Sequence, residues 1–95
     1  MAKGYWIAHV TVTNPDQYKF YADAAPIAFK KYGATILARG GTHQQMEGEG
    51  RPRNVVIEFP SLQAAIDCYN SDEYQSAKAK RQGAGLAEIV LVEGV

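Results

Sequence analysis

Glu58 to Gln75 reads EFPSLQAAIDCYNSDEYQ, and the order of residue types along it decides the fold. The β-rich run NVVIEF (Asn54–Phe59) stops at Pro60, which cannot donate to a sheet ladder. Ser61 follows as a helix cap, and Leu62, Ala65, Ile66 and Tyr69 recur at helical spacing. Ser71 offers a second cap, followed by Asp72 and Glu73 at the positive end of the next helix. A strand, a helix over Leu62–Tyr69 and a short helix over Asp72–Gln82 therefore succeed one another directly, as half of a βαβ-type repeat. Gly83 and Gly85 end the last helix, and EIVLVE (Glu88–Glu93) reads as the final strand.

The same reading extends toward the N-terminus. YWIAHVTV (Tyr5–Val12) is a strand with two largely apolar faces: Tyr5, Ile7, His9 and Thr11 on one, Trp6, Ala8, Val10 and Val12 on the other. Asn14-Pro15-Asp16 opens a helix, with Asn14 as N-cap and proline at the first helical position. Tyr18, Ala22, Ala25, Phe29 and Tyr32 form its apolar stripe. Pro26 should kink it near Ala25, and Gly33 supplies the left-handed residue that ends it. ATILAR (Ala34–Arg39) is a second strand. Gly40-Gly41 suggests a bulge, after which Thr42–Glu47 carries the strand on to a turn at Gly48–Pro52. Arg53–Phe59 is the third strand.

Right-handed crossovers in this β-α-β-β-α-β order give a four-stranded antiparallel sheet, order 4-1-3-2, with helices on one face. That is an α+β, ferredoxin-like fold in a single domain spanning residues 1–95. Helices cover one face only, yet the first strand is apolar on both. A second copy packed sheet against sheet is the simplest cover, so the expected state is a homodimer.

Composition excludes several classes of function. Ten Lys and Arg balance ten Asp and Glu, which leaves no basic footprint for nucleic acid or an anionic membrane. The basic group Lys78, Lys80 and Arg81 falls where a helix ends and complements its dipole. Strand three carries valines and isoleucine where an RNA-recognition sheet would carry stacking aromatics. No apolar run is long enough for a membrane span or signal peptide, so a cytoplasmic location is expected. Cys68 is the only cysteine, which rules out an intrachain disulfide and a Cys-x-x-Cys metal loop; it reads as an inert, half-buried thiol. His9 and His43 are the only histidines, with no acids at ligand spacing, and only they could serve as a haem axial ligand. Neither a nucleophile-base signature nor a phosphate loop is present. No cofactor and no metal are expected.

The segments KGYWIAHV, KYGATILARGG, EFPSLQAAIDCYNSDEYQ and IVLVEGV together resemble the small bacterial proteins of domain-of-unknown-function family 1330, over nearly the whole chain. That family belongs to the dimeric α+β barrel superfamily. The resemblance implies a homodimer whose two sheets close into a barrel, and it carries no catalytic residues over. Superfamily relatives span cofactor-independent monooxygenases, haem-degrading or chlorite-splitting enzymes and muconolactone isomerase-like proteins, and fold does not choose among them.

Polar residues on otherwise apolar strands supply the candidates. His9, mid-strand, is either an acid or base working near neutrality or a half-buried histidine bonded to a neighbour. Arg39, at the end of strand two, either grips a carboxylate in fork geometry or pairs with Glu58 on strand three. Glu58 needs a partner in either case. The expectation is a His9–Arg39–Glu58 cluster between sheet and helices, lined by Tyr5, Tyr21 and Tyr69, with His9 as base and Arg39 as anion anchor. The tyrosines otherwise read as core. The function this implies is binding of a small, anionic organic molecule, with cofactor-independent acid-base or monooxygenase-like chemistry. The alternative is a non-catalytic dimeric interaction module.

Overall fold

The computed structural model describes residues 2–95. Its elements run β1 (Gly4–Val12), α1 (Pro15–Lys31), β2 (Thr35–Arg39), β3 (Arg53–Phe59), α2 (Leu62–Tyr69), α3 (Asp72–Arg81) and β4 (Gly85–Glu93). They form one antiparallel four-stranded sheet of order β2-β3-β1-β4, the expected ferredoxin-like topology with the second crossover helix broken in two.

Local chemistry places each helix start. Asn14 Oδ1 accepts from Gln17 N at 3.2 Å, Ser61 Oγ from Ala64 N at 3.1 Å and Ser71 Oγ from Tyr74 N at 3.1 Å. Buried Ser71 also donates to the Cys68 carbonyl at 2.6 Å, so one hydroxyl closes α2 and opens α3. Helix α1 continues through Pro26 to Lys31, and Gly33 follows at φ 74°.

Three features depart from the sequence reading. The bulge lies at Leu37: Ile36 pairs with Ile57, but Ala38 pairs with Val56, so β2 has one residue more than β3 over this stretch. Strand β2 ends at Arg39, and Gly40–Pro52 is an irregular, largely exposed connection, so Thr42–Glu47 does not continue the strand. That segment, THQQME, lacks an apolar face to hold it against a partner. A third, smaller difference is that β4 begins at Gly85, opposite Val12, three residues before the apolar run.

Alternation then sorts the side chains. Trp6, Ala8, Val10, Ile57 and Phe59 face the helices and are buried with Tyr18, Tyr21, Phe29, Ala65, Cys68 and Tyr74. Trp6 is the hub: its ring lies 4.8 Å from that of Tyr74, 5.2 Å from Phe29, 5.7 Å from Tyr69 and 6.0 Å from Phe59. The other face carries Tyr5, Ile7, His9 and Thr11 of β1, with Val92, Val90, Glu88 and Leu86 of β4 directly opposite them. No helix covers it, and Leu86, Val90 and Val92 remain exposed.

Candidate functional site

The expected triad does not assemble. His9 pairs with Asn54 and Glu58 with Tyr5, all on the helix-free face of the sheet. Arg39 pairs with Val55 and lines a cavity on the helix side. The cause is the bulge. Strict alternation from Thr35, which opposes Glu58, would put residue 39 on the Glu58 face; one extra residue at Leu37 moves it to the other.

Each outward residue has its own structural partner. His9 Nδ1 and Asn54 Oδ1 are 2.6 Å apart, so Nδ1 carries the proton and donates. His9 also edges a polar cleft with Gln45, Glu49 and Arg51, where Arg51 donates to Glu88 at 3.1 Å and to Thr11 at 3.0 Å. Glu58 accepts from the Tyr5 hydroxyl at 3.0 Å and lies 3.9 Å from Lys3 Nζ, instead of pairing with Arg39. That hydrogen bond to a carboxylate raises the Tyr5 pKa.

The helix-side cavity has a volume of about 60 Å³, several times what one water needs. Its floor is Trp6, Ala8, Val10, Val55 and Ile57, and its roof is the α1 face from Tyr18 to Phe29. Pro26 and Ala22 both lie in that roof, where the missing proline N–H leaves the Ala22 carbonyl without its helical donor. Three arginines enter the cavity: Arg39 from the end of β2, Arg53 from the start of β3 and Arg81 from the last turn of α3. Among the described residues none of the three is within salt-bridge distance of a carboxylate; the ion pairs use Lys3, Lys19, Lys31 and Arg51 instead. Arg53 stacks over Tyr18 at 5.8 Å and Arg81 over Tyr21 at 4.7 Å, and those two tyrosine rings are 5.3 Å apart. The wall is thus a ladder of guanidinium, two phenols and guanidinium. Arg53 Nε is buried in it, with no hydrogen-bond partner among the described residues.

Tyr21 is the one expected tyrosine that joins Arg39. Tyr5 is on the opposite face. Tyr69 does not line the cavity but borders an adjoining surface cleft, which shares Arg81 and Ile89 with it, and the Tyr69 hydroxyl accepts from Lys78 at 3.1 Å. Sequence reasoning missed Arg53, Arg81 and Tyr18 as site residues. A signal existed for two of them. Arg53 is in phase with Val55, Ile57 and Phe59, the core side of β3, and Arg81 continues the buried Tyr74–Ala77 stripe of α3.

Beside Arg81 at the cavity wall, the Tyr21 and Tyr74 hydroxyls are 2.9 Å apart, and Arg81 Nη1 donates to Tyr74 at 3.3 Å. Burial pushes both phenols above their usual 10.0, and pushes the Cys68 thiol from 9.0 up to about 12. All three groups therefore ionise first in the unfolded chain. Stability should be level below about pH 9 and fall as pH rises from there toward about 12, because the unfolded chain then binds fewer protons. Denaturant midpoints should drop between about pH 8 and about pH 10.5, and Tyr21→Phe should make the decline shallower. A midpoint unchanged over that range contradicts the burial of these acids.

Among the described residues no group of three His, Cys, Asp or Glu side chains could hold a metal, and no helix is long and apolar enough to cross a membrane. No curated protein matches the chain. Solved structures share its fold at low identity. A protein of unknown function from Rhodopseudomonas palustris superposes with a TM-score of 0.78 at 16% identity, over 99% of this chain and 83% of its own. SnoaB, a cofactor-independent oxygenase from Streptomyces nogalater, gives 0.65 at 11%, over 97% and 92%. A dimeric protein of unknown function and ferredoxin-like fold from Bacteroides fragilis gives 0.64 at 12%, over 96% and 95%. The model of the domain of unknown function DUF1330 matches residues 3–95, and the chain belongs to that family.

Proposed function

We propose that this protein binds a small organic anion in the cavity beneath α1, with Arg39 and Arg53 at its anionic group and an apolar body against Trp6 and Phe29. One observation carries the reading: three guanidiniums line a single cavity with no carboxylate to neutralise them, and one of them buries an unpartnered donor. A buried donor without a partner costs free energy that a bound carboxylate would recover. Arg presents the planar fork that a carboxylate fits. The likeness to a cofactor-independent oxygenase is one of fold, and it is compatible with a ligand pocket between sheet and helices.

A thermal-shift screen of small aliphatic and aromatic carboxylates tests this, with Arg39→Ala alongside. The expected result is an acid that raises the melting temperature of the parent and not of the variant. A screen in which no acid shifts the parent overturns the proposal.

The helix-free face supports a homodimer as the binding-competent form. Ile7, Val56, Leu86, Val90 and Val92 place apolar surface there that a second sheet would cover, and a solved neighbour of this fold is described as dimeric. Native mass spectrometry at micromolar concentration should give twice the chain mass; a monomer contradicts it. The second reading, a non-catalytic interaction module, has one observation in its favour. His9 and Glu58, the acid-base candidates, lie on that same helix-free face, away from the arginine cavity. If they serve the dimer, their substitution will change its dissociation and leave the ligand shift intact.

A further inference from the structure

Arg81, Tyr74 and Tyr21 form a hydrogen-bonded row at the cavity wall. Tyr74 is fully buried and does not line the cavity, whereas Tyr21 does. The Tyr74 oxygen accepts from Arg81, and among the described residues the one acceptor within reach of the Tyr74 proton is the Tyr21 oxygen, 2.9 Å away. Were Tyr21 to donate to Tyr74 instead, the Tyr74 proton would be a buried donor with no acceptor, the arrangement folded proteins avoid. The satisfied chain therefore runs Arg81 to Tyr74 to Tyr21. It leaves the Tyr21 hydroxyl proton without a protein acceptor, on a residue that forms the cavity wall.

We infer that Tyr21 is a specificity-determining donor of this cavity, which offers its O–H to a second, uncharged acceptor oxygen on the bound anion. The ligand class is then an oxo acid: a carboxylate for the arginines at the β2–β3 end and a carbonyl oxygen for Tyr21, joined by an apolar body. This rests on the anion-binding reading above and adds the second recognition point. The chemistry of the chain is consistent with a donor. Burial raises the Tyr21 pKa, so the phenol keeps its proton throughout the physiological range. Arg81 at the far end polarises both hydroxyls in the donating direction. Stacking of the Tyr21 ring on Arg81 and against Tyr18 fixes where its oxygen sits.

The test compares two acids that differ only in the carbonyl, phenylpyruvate and 3-phenylpropanoate, titrated calorimetrically into the parent, Tyr21→Phe and Tyr74→Phe. The parent should bind phenylpyruvate about tenfold more tightly, the ratio one added hydrogen bond provides. Tyr21→Phe, which keeps the ring and its stacking, should bind the two acids equally. Tyr74→Phe should keep part of the preference, because Tyr21 retains its proton but loses the partner that orients it. If the parent binds both acids equally, or if the preference survives in Tyr21→Phe, the donor role of Tyr21 is wrong and the anion site stands. If neither acid binds the parent, the anion site and this inference are overturned together.

Discussion

Replacing Trp6 by alanine is expected to lower the unfolding free energy by about 3–5 kcal/mol. Trp6 is 1% exposed and meets four aromatic rings drawn from α1, α2, α3 and β3, so its removal uncouples every helix from the sheet at once. A domain of this size has a total stability of roughly 5–14 kcal/mol. One substitution therefore removes at least about a fifth of the total, and most of it at the lower end of that range. The surrounding rings cannot fill the space by collapse, because Tyr74 and Tyr21 hold each other through their hydroxyls and Phe29 is fixed on a helix. Trp6→Phe leaves one ring for the neighbours to pack on and should cost less than half as much. Guanidinium titrations followed by far-UV circular dichroism measure both. A loss below about 1 kcal/mol for the alanine variant would mean the aromatic cluster is not what holds the layers together.

The folding signals that were readable in the sequence are local ones. Asn14, Ser61 and Ser71 cap their helices through the hydroxyl or amide oxygen that their position suggests, because a cap depends on three or four residues in a row. Arg53–Phe59 and Leu62–Tyr69 have the expected bounds, since Pro60 and Ser61 punctuate them chemically. Strand order followed from element order and crossover handedness. The site was less legible. Its composition turned on the bulge at Leu37, a residue with no glycine or proline beside it, where pairing with β3 across the sheet decides which strand has the extra residue. The Gly40-Gly41 pair drew the bulge to the wrong side of Arg39. Gly40 instead takes φ 68° to leave the strand, close against the Arg53 guanidinium. With the bulge before Arg39, that side chain joins the helix face, and the partners of His9 and Glu58 become Asn54, Tyr5 and Lys3. Arg53 was open to recognition as a charge in phase with a core strand. Arg81 was read as one of the basic residues at a helix C-terminus, and only its phase with buried Tyr74 and Ala77 set it apart.

Arg53→Met should produce two effects of opposite sign. Without ligand, the variant should melt a few degrees above the parent. Methionine keeps the unbranched stem that packs in the cavity, removes a buried donor with no partner, and relieves a positive charge that shares its cavity with Arg39 and Arg81. Leaving a buried donor unpaired costs about 1–3 kcal/mol. Against this stands the lost stacking on Tyr18, which runs from about 0.5 kcal/mol at an exposed site to about 2 kcal/mol at a desolvated one. At the middle of both ranges the difference favours the variant, and 1 kcal/mol corresponds to about 4–8 °C in a domain of this length. With a carboxylate ligand, the order should reverse. Loss of a charge-assisted hydrogen bond of about 1.5–3 kcal/mol weakens binding by a factor on the order of ten to a hundred, so the ligand-induced shift collapses. A group that destabilises the empty protein and stabilises the loaded one is held for its ligand, not for the fold. Differential scanning fluorimetry with and without the acid reads both effects in one experiment. If Arg53→Met melts several degrees lower without ligand, the Arg53–Tyr18–Tyr21–Arg81 ladder is a structural brace of the α1–sheet interface, and the absence of acids around it reflects packing and not a missing anion.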